Sequence, residues 1–115
     1  MTDQIPDDVT PDMVVGAMPE YFVPEKAGNT NASIQFDLSG ELAGKHFIKI
    51  ADGQATSGQG EIESPNLTML ADSGDFVKIF TGKLDPTAAF MSGKLKIKGD
   101  MGLAMRMQTM FRMPS

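Results

Sequence analysis

Apolar and polar residues alternate cleanly over 33–38. Ile34, Phe36 and Leu38 fall on one face; Ser33, Gln35 and Asp37 fall on the other. A period of two marks a strand with one dry side. Residues 45–51 repeat the pattern, with His46, Ile48 and Ile50 together. Asp52-Gly53 follows, a hairpin signal because both central positions of that turn want positive φ. The polar, glycine-rich stretch 54–62 suits a third strand at a sheet edge. After Pro65, residues 66–71 read as a fourth strand. Residues 94–98 read as a fifth, with Leu95 and Ile97 inward and Lys94, Lys96 and Lys98 toward water.

Helical signals fill the rest. Residues 1–9 read as a flexible tail. Thr10-Pro11 supplies a cap followed by proline at the first helical position. The short helix that follows is broken at Pro19. Asp72 or Ser73 caps a helix running through 75–80 to Gly82. Asp85-Pro86 opens a short helix ended by Gly93, and Gly99-Asp100 opens the last one. The predicted fold is one α+β domain over 10–115. It has a five-stranded, mainly antiparallel sheet with helices packed on one face. The fifth strand, reached by a helical crossover, is placed to pair parallel to an earlier strand.

The last helix carries an unusual share of methionine. On a wheel, Met110, Leu103, Met107, Phe111 and Ala104 form one arc, which Met101 and Met105 extend. The apolar arc spans roughly 220°, about twice what a surface helix needs to face its core. Gln108 sits inside it. Two readings follow. Either the helix packs on two neighbours, or part of the arc faces a cavity. Methionine is unbranched and polarizable, so it lines pockets that accept ligands of several shapes.

Composition narrows the function classes. Apolar residues make up 41% of the 115, enough for a single core. No run approaches the ~18 apolar residues of a membrane span. The acidic, polar opening predicts no signal or transit peptide. The chain has no cysteine, which removes thiolate chemistry and fits a reducing compartment. Residues 1–75 hold three lysines against 13 carboxylates, and residues 76–115 hold seven basic residues against two. The acidic balance argues against a nucleic-acid partner. The basic final third suits a phosphate-bearing ligand or transient contact with an anionic membrane surface.

Catalytic constellations are sparse. His46 is the single histidine, mid-strand and inward, where it reads as a packing residue. No HExxH, calcium loop or strand-linked GxGxxG is present in the sequence. Glu61 and Glu63 share a strand face and read as solvated. The expectation is no enzyme, no metal and no cofactor.

Residues 80–108, FTGKLDPTAAFMSGKLKIKGDMGLAMRMQ, closely resemble the sterol carrier protein 2 family. The G-K-L-x-P, A-F, G-K-L-K-I-x-G and M-G-L-A-M elements stand in the family's order and spacing. IQFDLSGE, the Asp52-Gly53 turn and NLTMLADSGDF match upstream, and AMPEYFVPEKA looks like short stand-alone bacterial members. The resemblance covers roughly residues 10–112. It implies an apolar tunnel between sheet and helices that holds sterol, fatty acid, fatty acyl-CoA, phospholipid or an isoprenoid lipid, without catalysis. It also implies that the last helix borders the tunnel. Phe76, Phe80 and Phe90 are then fixed walls, Met101 and Met105 adaptable ones, and Gln108 orients a head group. Lysine or arginine near an entrance would hold a ligand's carboxylate or phosphate.

Departures modify that expectation. Many members have tryptophan in the second strand where this chain has His46, which would narrow or re-polarise the tunnel. The helix broken at Pro19 would leave the tunnel more open at that end. The chain ends Met113-Pro114-Ser115 rather than Ser-Lys-Leu, so a cytoplasmic rather than peroxisomal location is expected. The expected state is a monomer or weak homodimer. The alternative is a scaffold module for an enzyme of lipid or quinone metabolism. The features to watch are Phe47 and Leu70, which, if exposed together, would form an apolar patch on the otherwise polar sheet face. An enzyme using His46 is a third reading.

Overall fold

The computed structural model describes residues 9–111; residues 1–8 and 112–115, and with them most of the expected tail, lie outside the described residues. Helix α1 (Pro11–Ala17) runs into a 3-10 turn (Met18–Tyr21) and one further turn, α2 (Pro24–Ala27). The strands are β1 (Ala32–Ser39), β2 (Gly44–Ala51), β3 (Gln54–Gln59), β4 (Leu67–Asp72) and β5 (Leu95–Gly99). Helices α3 (Ser73–Phe80) and α4 (Pro86–Met91) connect β4 to β5, and α5 (Met101–Met110) follows.

The helix starts follow from their caps. The hydroxyl of Thr10 accepts from Met13 N–H, Asp72 from Gly74 N–H, Asp85 from Ala88 N–H and Asp100 from Leu103 N–H. Each satisfies an N–H that the helix itself leaves without a partner. At the β2–β3 hairpin, Asp52 and Gly53 both take positive φ, 54° and 74°, as the turn requires.

The sheet order is β3-β2-β1-β4-β5. All pairs are antiparallel except β1–β4. The mainly antiparallel α+β architecture with one parallel pair therefore stands, but the parallel strand is β4 rather than β5. Two helices link β4 to β5, as the sequence predicts. The chain comes back to the end at which β4 finished, Leu95 pairs with Ala71, and β5 runs back antiparallel. The parallel crossover is instead made by β2, β3 and the segment 60–66.

That segment buries a residue the alternation placed outside. Gln35 lies on the outer face yet is buried. Its amide donates to the carbonyls of His46 and Gly60 at 2.9 and 3.0 Å, and its Oε1 accepts from Ile62 N–H at 2.7 Å.

The inner face carries the core. Ile34, Phe36, Ile48, Ile50 and Leu67 are fully buried beneath the helices. Phe36, Phe76 and Phe80 form an aromatic cluster, with centroids 4.8 to 6.0 Å apart. His46 is buried under α1, its Nδ1 3.3 Å from an Asp12 carboxylate oxygen. On the outer face, Phe47 and Leu70 are half-buried and stand in different cross-strand rows, Phe47 with Gln35 and Leu70 with Asp37. They therefore do not form one exposed apolar patch.

Candidate functional site

Helix α3 lies over β1 and β4, and α5 over β4 and β5. Between them, above the inner face of β4 and β5, is a cavity of about 740 Å³. Its floor is Met69, Leu95 and Ile97; one wall is Phe76, Ile79 and Phe80 of α3; the opposite wall is Met101, Ala104, Met105 and Met107 of α5, with Phe111 beyond. The connection from Gly82 to Thr87 and Phe90 of α4 close the third side.

Both ends of α5 are fixed, which holds that wall in place. At its start, Gly99 takes φ +105°, and a Cβ there would lie 2.5 Å from the Asn66 carbonyl oxygen. Only glycine lets β5 turn so closely past β4. Asp100 N–H then donates to the same carbonyl at 3.0 Å. At its end, Met110 C=O accepts from Val23 N–H at 2.7 Å, and the Phe22 and Phe111 rings sit 5.4 Å apart.

The two readings of the methionine-rich helix both hold, on different parts of its arc. Leu103, Ala104, Met107, Met110 and Phe111 are buried core. Met101 is 46% exposed and Met105 73%, and with Phe90 at 43% they surround the cavity mouth. Thus Phe76, Phe80, Phe90, Met101 and Met105 converge on one cavity. The side chain of Gln108 lies outside the described residues.

Other wall residues were not singled out by sequence. Alternation turns Met69, Leu95 and Ile97 inward, but it cannot tell core from cavity floor. That distinction depends on how far apart α3 and α5 stand. Leu84 and Pro86 belong to the G-K-L-x-P element, which marks the family and the start of α4 but does not by itself say that they face a cavity.

Charge is scarce here. Among the described residues, no lysine, arginine or histidine lines the cavity. Among the described residues, the wall itself therefore offers no cation to a ligand's carboxylate or phosphate. The charged group on it is Asp85, engaged in capping α4 at 2.8 Å. The β5 lysines are exposed, and the strand's alternation turns them away from the inner face. His46 is not a wall residue either, so it neither narrows nor polarises this cavity. Among the described residues, no acidic, histidine or cysteine cluster could hold a metal, and no helix is long and apolar enough to cross a membrane.

A second, smaller cleft of about 170 Å³ lies between α1, the 3-10 turn and α3. Val9, Met13, Ala17, Met18 and Tyr21 line one side, Phe80 and Thr81 the other. It lies against the 3-10 turn that contains Pro19.

Comparison with known proteins agrees with this fold. The model of the SCP-2 sterol transfer family matches residues 22–112. Hydroxysteroid dehydrogenase-like protein 2 of Xenopus tropicalis is 52% identical over 91 residues, 77% of this chain but 22% of the relative. The chain thus spans about a fifth of that relative's length. Among solved structures, the sec-alkylsulfatase Pisa1 from Pseudomonas sp. superposes with a TM-score of 0.78 at 19% identity, over 93% of this chain and 17% of that one. Palmitated SCP2L2 from Aedes aegypti gives 0.74 at 16% identity, over 93% and 99%. At these identities the structural likeness speaks to fold, and the family match to descent. The chain belongs to the SCP-2 sterol transfer family.

Proposed function

We propose that this domain, residues 10–115, binds the alkyl part of a lipid in the large cavity and transfers it, without catalysing a reaction. The observation that carries this is an apolar cavity of about 740 Å³ whose mouth is made of exposed Phe90, Met101 and Met105. Its size lies in the roughly 300–1,000 Å³ range of small-molecule sites. Family membership and the palmitated state of the Aedes aegypti neighbour support the ligand class.

Affinity would come from apolar area removed from water, less the cost of ordering the chain. Phe76 and Phe80 hold fixed positions through their mutual packing, and Met101 and Met105 adapt to the ligand. With no basic residue on the wall among the described residues, an acidic head group stays in water at the mouth, where we assign Gln108 to orient it. Fatty acid, fatty acyl-CoA, sterol, phospholipid and isoprenoid lipid share the alkyl chemistry. The exposed apolar mouth, with Met91 beside it, would touch a membrane transiently during loading. The working state is a cytoplasmic monomer or weak homodimer.

The test is a titration with palmitate, followed by methyl NMR of the methionines. Met69, Met101, Met105 and Met107 shift together, while Met91, exposed but off the cavity wall, does not. Shifts at Met91 alone, or none, would remove the reading. Gln108→Leu then changes the ranking between palmitate and a plain hydrocarbon; an unchanged ranking removes Gln108 from head-group contact.

A second reading rests on the relative's length. In the Xenopus tropicalis protein the matched region is a small part of a longer chain named dehydrogenase-like. A domain in that setting would hold lipid and present it to an enzyme. Palmitate binding without transfer between vesicles would favour presentation over transport.

A further inference from the structure

Phe80 is a wall residue of both cavities. Its neighbours divide between them: Ile79 faces the large cavity, and Thr81 faces the small cleft. The last turn of α3 therefore stands between the two spaces, and Phe80 is the residue that both share. The ring is held in place, 4.8 Å from Phe76 and 6.0 Å from Phe36 between centroids. The helix end beside it is closed by the Thr81 hydroxyl, which donates to the Val77 carbonyl at 2.7 Å.

The cleft beyond is built for hydrocarbon rather than water. Its lining is mostly Val9, Met13, Val14, Ala17 and Met18. A buried water needs two to four polar partners, and such a lining supplies few. The space is small, and Phe80 is common to its wall and to the wall of the large cavity.

We infer that Phe80 sets the length of alkyl chain the protein accepts, and that the small cleft is a latent subsite for the distal end of a longer chain. This rests on the lipid-binding reading above. While the ring stands, a chain entering at Met101 and Met105 ends against Phe80. When the partition is shortened, the two spaces join.

The experiment measures affinity for saturated fatty acids of increasing length, from lauric to lignoceric acid. The proteins are the wild type, Phe80→Leu, Phe80→Met, and each variant combined with Ala17→Leu. Every methylene that finds apolar cover tightens binding about fourfold. In the wild type this gain stops at a definite chain length. In Phe80→Leu and Phe80→Met it continues through several longer homologues. Ala17→Leu fills the cleft from α1 without touching the large cavity, and it returns the limit toward wild type. Phe80→Met, flexible and well matched to a core site, is read in parallel so that the result does not hang on one variant's folding.

The same limit in the wild type and a folded Phe80 variant would overturn the gauge while leaving lipid binding intact. A wild type that binds no fatty acid of any length would overturn the lipid reading itself, and the gauge with it.

Discussion

Met105 and Met107 stand two residues apart on α5 and line the same cavity, yet Met105 is 73% exposed and Met107 is 3% exposed. One helix thus supplies both the mouth of the cavity and part of the core behind it. The two methionines should fail in different ways. Met107→Ala leaves a void in packed structure and costs about 2–5 kcal/mol of stability. Met105→Asp leaves thermal unfolding close to wild type. It weakens palmitate binding by about tenfold or more, because it sets a carboxylate against an alkyl chain. Thermal unfolding and palmitate titration of both variants check this, and the reverse pattern would contradict the placement of the mouth.

The start of α5 should depend on Gly99. Alanine there meets the Asn66 carbonyl and must hold φ +105°. The expected loss in urea unfolding exceeds about 1 kcal/mol. Asp100→Ala removes the N-cap and costs about 1 kcal/mol by the same measurement. A neutral Gly99→Ala would mean the approach of β5 to Asn66 is looser than described.

Gln35 should matter to folding and not to binding. Gln35→Leu removes the side-chain bonds to the His46 and Gly60 carbonyls and to the Ile62 N–H, and each group left dry and unpaired costs about 1–3 kcal/mol. The segment 60–66 lies on the opposite sheet face from the cavity. The variant therefore unfolds at lower urea with unchanged palmitate affinity at concentrations where it is folded. Loss of affinity in the folded variant would show that the two faces are coupled.

Phe47 should not control self-association. Its ring covers Gly58 on β3, where a Cβ would clash with it, and Lys49 Nζ sits 5.4 Å from the ring centroid. Phe47→Ser keeps the wild-type elution volume in size-exclusion chromatography and costs only packing on Gly58. A shift from dimer to monomer would revive the outer face as an interface.

Much of this architecture is legible in the residues. Alternation places most of the strands to within a few residues, because most have one polar side, and the polar, glycine-rich composition of 54–62 places the third. Short polar side chains before proline or an apolar run mark the helix caps. What escapes is set by contacts distant in sequence. The partner of β5 depends on two helices returning the chain to the end of β4, and residues 94–98 carry no trace of that. Gln35 looks like any solvated strand residue until segment 60–66 crosses above it.

The site divides in the same way. Phe76, Phe80, Phe90, Met101 and Met105 come from a family resemblance together with the breadth of the α5 arc. The wheel alone cannot separate Met105 from Met107, since a width of roughly 220° says only that more than one surface is met. Met69 and Ile97 are inward by alternation. That they floor a cavity follows from the spacing of α3 and α5.

The central claim, that the large cavity holds lipid, is tested most directly by native mass spectrometry of the protein as purified and after addition of palmitate. The account predicts one lipid-sized adduct per chain, lost or sharply reduced in Met105→Asp. A protein that stays bare with palmitate, fatty acyl-CoA, sterol and phospholipid alike, while correctly folded, would contradict it.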